Sequence, residues 1–222
     1  MQGCLKWNLI TISVTQYRRL LYNVFVNNII SKIKKQAEAQ GIPIILDDMR
    51  DFLVLKTSKL KPKAILEIGS GIGYSAAVLA DANPNVEIIT IEKDEARAKL
   101  AEENLKGFLT CTVLNCDAMD FLKTHSEELF DFIFLDGPKS QYVNYLPYLI
   151  NILKTNGVLI CDNIFFHGAV DSETYEVKAG LSKDVRQLAT KLKRFILAAL
   201  NESWLKTEII NKADGIMVAK KV

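Results

Sequence analysis

Two apolar runs in this chain end in carboxylates. Phe132-Ile-Phe-Leu leads into Asp136, and Leu159-Ile-Cys leads into Asp162 and Asn163. Such runs read as buried strands, and open α/β sheets bind ligands beyond the carboxyl ends of their strands. If the two strands are neighbours, their ends lie about 5 Å apart. Asp136, Asp162 and Asn163 would then offer three hard oxygen ligands to one cation. Mg²⁺ takes six oxygens and keeps some of its waters, so three protein oxygens leave room for a water and two substrate oxygens. No Cys/His cluster competes, which speaks against zinc. Aspartate and asparagine also close turns and cap strand ends, and either site taken alone has that plainer reading. Lys139 follows Asp136 by three residues. Beside a cation an ammonium group gives up its proton more readily, so Lys139 is the candidate base. An ordinary surface lysine is the alternative.

A second constellation lies earlier. Ala64-Ile-Leu-Glu-Ile reads as a buried strand that stops at Gly69, Gly71 and Gly73, followed by Tyr74, Ser75 and a helical stretch to Asp81. Glycine lets a backbone approach a ligand with no Cβ in the way. A helix start offers unpaired N–H groups and the positive end of a dipole. The dinucleotide fingerprint is G-x-G-x-x-G, but here Tyr74 holds the place of its third glycine. Glu67 lies inside the strand end, where a carboxylate would repel a pyrophosphate and suit a cation. S-adenosylmethionine carries a sulfonium and an ammonium, so E-x-G-x-G-x-G fits it better. Glu92 ends the next apolar run about 20 residues on, where a carboxylate can accept from both ribose hydroxyls. Asp117 can accept from an adenine amino group, with the Ala118 N–H at the ring; a helix cap at Asp117 is an equal and compatible reading. A tight turn with no ligand is the plain alternative for the whole loop.

These residues need a scaffold, and 222 residues are enough for one α/β domain with decoration. At 49% hydrophobic and 24% charged the composition is that of a globular domain. The net charge of +2 neither demands nor excludes nucleic acid. Cys4, Cys111, Cys116 and Cys161 show no C-x-x-C spacing. Cys111 and Cys116, five apart on one expected strand, should face opposite sides. All four read as reduced core residues of a cytoplasmic protein. No apolar run reaches membrane-spanning length, so no membrane partner is expected. The start, Met1 to Val14, lacks a small-residue cleavage pattern and is not expected to be a signal peptide.

Leu20, Leu21, Val24, Phe25, Ile29, Ile33 and Ala37 mark one face of a helix that should end near Gly41. Ile42-Pro43 begins an extended link, and Asp47 or Asp48 can cap a second helix carrying Met49, Leu53, Leu55 and Leu60. Residues 1–60 therefore form a helical extension outside the sheet, as a lid, a dimer element or a packing layer. Over 61–222 strands and helices alternate, which predicts a parallel sheet. Strands are expected over 64–68, 86–91, 110–115, 130–135 and 158–161, with helices over 75–81, 94–106, 118–124 and 142–153. A loop over 164–180 precedes a strong amphipathic helix, Val185 to Ala199. Two final strands, 205–210 and 215–220, are joined by Asn211-Lys-Ala-Asp214, a hairpin signal that makes the last strand antiparallel.

Taken together the chain resembles the metal-dependent O-methyltransferases of catechol and caffeoyl-CoA type that use S-adenosylmethionine, in their shorter bacterial branch. The resemblance is carried by Ile-Pro-Ile (42–44), Leu-Glu-Ile-Gly-Ser-Gly-Ile-Gly-Tyr-Ser (66–75), Ile-Glu-Lys-Asp (91–94, with Lys93), Asp117-Ala118 and Phe-Leu-Asp-Gly-Pro-Lys (134–139) with Tyr142. Asp162-Asn163 with Phe166-His-Gly168, and Asp214-Gly215, complete it. It covers about residues 20–222. It implies a Rossmann-like α/β fold with helices on both faces of a seven-stranded, mostly parallel sheet whose last strand is antiparallel. It also implies a homodimer. By resemblance Ser75 would hold the methionine carboxylate and Glu92 the ribose. Asp136, Asp162 and Asn163 would hold Mg²⁺ or another divalent cation, with Lys139 as the base. Gly137-Pro138 departs from the family's usual residues between the aspartate and the lysine, and the proline restricts that turn. The expected reaction is methyl transfer from S-adenosylmethionine to a hydroxyl with a neighbouring oxygen. Members of this branch act on catechol-like small molecules or on 5-hydroxyuridine of tRNA. Lys32, Lys34, Lys35, Lys178, Lys183, Arg186, Lys191, Lys193 and Arg194 could face an RNA or simply be solvated helix faces. A non-catalytic S-adenosylmethionine-binding protein and a nicotinamide-dependent oxidoreductase are the rivals.

Overall fold

Strand and helix alternate as the patterning predicts, beginning at Ala64. The computed structural model describes residues 14–127 and 129–222, and for residues 14–25 and 27 the backbone alone. The reading of residues 1–13, Cys4 included, and the side chains of Leu20, Leu21, Val24 and Phe25 lie outside the described residues. Helices α1 (Val14–Gln40) and α2 (Asp47–Leu60) precede β1 (Ala64–Ile68), α3 (Tyr74–Ala82), β2 (Glu87–Glu92), α4 (Glu95–Leu105) and β3 (Cys111–Asn115). Then come α5 (Ala118–Thr124), β4 (Phe130–Leu135), α6 (Tyr142–Ile152), β5 (Leu153–Cys161), α7 (Lys183–Asn201), β6 (Leu205–Ile210) and β7 (Ile216–Lys221).

The seven strands form one sheet in the order β3-β2-β1-β4-β5-β7-β6. Strands β1 to β5 are mutually parallel, and β7 runs antiparallel to both β5 and β6. The chain winds outward from β1 to β3, then returns to lay β4 on the other side of β1. That reversal opens a crevice at the carboxyl ends of β1 and β4, where doubly wound sheets bind ligands.

Side chains alternate across a strand, and the buried strands are apolar on both faces. Leu66, Ile68, Ile133, Leu135, Leu159 and Cys161 face one core, with Phe121, Leu149 and Phe195 from α5, α6 and α7. Ile65, Phe132, Phe134 and Ile160 face the other, with Val26, Ile33, Met49, Leu53 and Leu79 from α1, α2 and α3. The first two helices thus cover the α3 side of the sheet. Among the described residues no helix is long and apolar enough to cross a membrane.

Several local expectations differ from the structure. Strand β5 starts at Leu153, five residues early, because the chain leaves α6 straight into pairing, Phe130 opposite Leu153, and then bulges before Phe132 meets Val158. Asn156, with φ +67°, lies in the intervening stretch. Leu46, not Asp47 or Asp48, is the N-cap of α2, and no side chain caps it. Asp47 instead meets Lys34 and Arg50, each at 2.9 Å. Leu55 is exposed, since it falls on the opposite face from Met49 and Leu53. Cys161 is a core residue, whereas Cys111 and Cys116 are half-buried. Strand β3 ends at Asn115, so Cys116 lies past the ladder that was to fix its orientation.

Candidate active site

The glycine loop is held by its neighbours on both sides. The Gly69 and Ser70 N–H groups donate to Ile91 O at 2.9 and 3.1 Å, and the Asp136 N–H donates to Ile68 O at 2.9 Å. At Gly69 a Cβ would stand 2.4 Å from the Asp136 carbonyl oxygen, and φ is +101°. The close approach of the loop to the end of β4 therefore requires glycine there. The Gly71 N–H donates to Glu92 Oε2 at 2.9 Å, and the Asp94 N–H to Glu92 Oε1 at 2.9 Å. Gly73 sits behind the loop, at the N-cap of α3 and against Leu105.

Glu67 lies beneath this loop with no exposure. Thr90 donates to its Oε2. Its Oε1, like Ser70 Oγ, is a buried atom with no hydrogen-bond partner among the described residues. Burial pushes the Glu67 carboxyl up to about 7, against the lowering effect of the Ser75 and Thr90 hydroxyls. A buried acid with an orphaned oxygen beside a glycine loop has the chemistry to meet a cation.

On the far side of the cleft the strand ends meet. Leu135 pairs with Cys161, and the Asp162 N–H donates to Leu135 O at 3.2 Å. Asp136 and Asp162 follow side by side. Asp162 is buried, its Oδ1 accepts from the Asn163 N–H at 2.7 Å, and its carboxyl is pushed up to about 6 by desolvation and by the charge of Asp136. Pro138 caps a single 3₁₀ turn, Lys139–Gln141, that folds Lys139 back so that its Nζ donates to Asp136 Oδ1 at 2.6 Å. The restriction at Pro138 (φ −67°) suits that turn. The fully buried Tyr142 ring lies 5.3 Å from Lys139 Nζ, and its hydroxyl donates to Leu135 O at 3.0 Å, so the lysine rests on a fixed support.

One cleft of about 1190 Å³ joins the two sides. Gly69, Gly71, Tyr74, Ser75, Glu92, Lys93, Asp117 and Ala118 line it towards β1, β2 and β3. Asp136, Lys139, Asp162 and Asn163 line it towards β4 and β5. Glu67 and Gly73 do not. Asp117 caps α5 by accepting from the Met119 N–H at 2.8 Å, and Lys93 donates to its other oxygen at 2.7 Å. Those two donors hold its carboxyl below the usual range. A model of the O-methyltransferase family matches residues 25–222. The chain belongs to that family.

This methyltransferase is 27% identical over 203 residues to a caffeoyl-CoA O-methyltransferase of Populus kitakamiensis, which covers 85% of this chain and 82% of the relative. It is 28% identical over 141 residues to a catechol O-methyltransferase of Mycobacterium tuberculosis, covering 62% of this chain and 64% of that protein. Its fold matches the O-methyltransferase from Bacillus cereus, solved in complex with SAH, with a TM-score of 0.75 at 24% identity over 88% of this chain and 91% of the other. The methyltransferase cleft also holds residues given no role from the sequence. Pro43, Ile44, Ile45 and Leu46 of the α1–α2 link roof it beside the glycine loop, and Phe166, His167 and Asp214 stand at the acidic end. Ile-Pro-Ile (42–44), Phe166-His-Gly168 and Asp214-Gly215 marked these places as part of the resemblance, and none of them states a chemistry.

Proposed function

We propose that this methyltransferase moves the methyl group of S-adenosylmethionine to a hydroxyl that has a neighbouring oxygen, in a catechol-like small molecule, with a divalent cation at Asp136, Asp162 and Asn163. One observation carries the reading: the glycine loop, a pair of strand-end carboxylates and a lysine line a single cleft. The donor set fits a hard cation. Two carboxylates and an amide converge on one strand pair, and the buried one resists ionisation without a compensating charge. Among the described residues no three acidic, histidine or cysteine side chains group to hold a metal; in this reading the third donor is the Asn163 amide, which lines the same cleft. A cation bound there would supply Lewis-acid chemistry, making a hydroxyl it holds more acidic.

The chain's own residues do the rest. Glu92 and the loop hold the donor with its sulfonium facing the acidic end, and Glu67 lies buried beneath the loop. Lys139, seated on Asp136, takes the acceptor's proton in its neutral amine form, its own proton having first passed to solvent. The acceptor oxygen bonds to the methyl carbon as the carbon–sulfur bond breaks, and its electron pair returns to sulfur, leaving S-adenosylhomocysteine. Positioning in line supplies much of the rate. A second copy of the chain belongs to the same reading, because Leu197, Leu200 and Trp204 are exposed apolar surface. Sedimentation showing only monomer at micromolar concentration would count against that part.

The test is methyl transfer from labelled S-adenosylmethionine to catechol and to total tRNA, with and without EDTA. Transfer to catechol should be lost in EDTA and return with Mg²⁺. Asp162→Asn should reduce it by orders of magnitude while S-adenosylmethionine still binds. Methyl transfer surviving both excess EDTA and Asp162→Asn would sink the metal assignment, and transfer to tRNA alone would sink the acceptor.

A further inference from the structure

We propose that the Asp214–Gly215 turn is a positioning element for the acceptor end of the cleft, setting where Asn163 and His167 stand. This rests on the reading of the cleft as a methyl-transfer site. Residues 163–168 leave β5 along an improbable path. Asn163, Phe166 and His167 have φ of +54°, +48° and +54°, and Gly168 follows at +72°. Three side-chain-bearing residues in the left-handed region persist only where the surroundings over-determine them.

The determining contacts come from the hairpin turn between β6 and β7. The Ile164 N–H donates to Gly215 O at 3.1 Å and the Phe165 N–H to Asp214 O at 3.0 Å. The His167 N–H donates to Asp214 Oδ2 at 2.8 Å. Phe165 is buried against Gly215, where a Cβ would stand 2.4 Å from its ring. The hairpin is itself anchored. The Gly215 N–H closes on Lys212 O at 3.0 Å, and Lys212 Nζ reaches Asp48 of α2 at 3.6 Å. The Asp214 side chain is 17% exposed and the His167 side chain 86%. Asp214 is thus the enclosed fixed point, while His167 opens onto the cleft. One carboxylate oxygen on one backbone N–H ties the last left-handed pair to the sheet. Asn163, four residues before His167, is tied into the same loop by its carbonyl, which accepts from the Phe166 N–H at 3.2 Å.

The experiment compares Asp214→Ala and Asp214→Asn in the full chain. It reads amide exchange of residues 163–168, S-adenosylhomocysteine affinity by calorimetry, and KM and kcat for catechol with Mg²⁺. Losing this hydrogen bond is expected to speed exchange in 163–168 and raise KM by about tenfold, with S-adenosylhomocysteine affinity within about twofold. Asp214→Asn keeps an oxygen that accepts from the His167 N–H, so it should return exchange and KM close to the unmutated values. Unchanged exchange and KM in Asp214→Ala overturn the proposal, as does a parallel loss of S-adenosylhomocysteine affinity, which would mean general damage. Failure of Asp214→Asn to restore either quantity also overturns it. If the unmutated protein transfers no methyl to catechol, the proposed acceptor is wrong, and the exchange result alone still decides whether Asp214 positions the loop.

Discussion

Glu67 shows what a single side chain contributes at the residue scale. Its carboxyl is ordinarily half-ionised near 4.5 and is pushed up to about 7 by burial. Between those values the unfolded chain has lost the proton and the folded chain keeps it. The folded state therefore binds more protons, and stability falls as pH rises through that window. Glu67→Gln should flatten the melting temperature of the ligand-free protein between about pH 4.5 and 7; an unchanged slope would remove Glu67 as its source. Gly71 tests the loop. Its φ is +54°, and a Cβ would meet nothing closer than Pro43 O at 3.9 Å, so it would point into the open cleft. Gly71→Ala should cost about 1 kcal/mol of stability from the backbone and weaken S-adenosylmethionine binding well beyond that. Undiminished affinity in calorimetry would make the loop a turn only. That Asp136, Asp162 and Lys139 line one cleft is expected from the sequence, because two acid-ended apolar runs taken together outweigh the cap or turn that either alone allows. Asp214 could not be read in that way, since Asp-Gly describes any tight turn.

At the scale of elements, the sheet is pinned at the end opposite the cleft. Asp131, near the start of β4, accepts from the Lys63 and Ala64 N–H groups at 3.0 and 2.9 Å, and Lys154 of β5 lies 3.3 Å from the same oxygen. It therefore joins three adjacent strands. Asp131→Ala would leave two backbone donors without their acceptor, so a loss of roughly 1–3 kcal/mol is expected, measured by denaturant unfolding. S-adenosylhomocysteine affinity should hold, because the cleft is at the other end of the strands. A stability change under about 0.5 kcal/mol would assign those donors to water instead. The elements themselves followed from period and breakers, while their ends did not. The early start of β5 depends on pairing with Phe130, a partner in space rather than in sequence.

For the whole molecule, net charge and its distribution bear on the acceptor. Of the basic residues that could face RNA, Lys34 pairs with Asp47 and Lys193 with Glu176. Lys32, Lys35, Lys178, Lys183, Arg186, Lys191 and Arg194 carry exposed charge. A small uncharged acceptor releases no counterions, so its KM should change little between about 50 and 200 mM salt. A loss of binding by about a thousandfold over that range would instead indicate contact with many phosphates.

The sequence by itself determined the sheet, its reversed last strand and the two clusters of chemical residues, because each rests on local rules. Apolar runs make strands, glycines break them, and acids at strand ends face ligands. Tertiary structure alone decided the rest. It made β4 and β5 neighbours, which puts Asp136 beside Asp162, and it placed β1 against β4, which sets Gly69 on the Asp136 carbonyl. It turned Lys139 back onto Asp136, a short contact but one that depends on Tyr142 being buried beneath it. It also brought Asp214 to His167 across 47 residues. Contacts at such separation are set by how the layers pack, and no period or spacing in the chain records them.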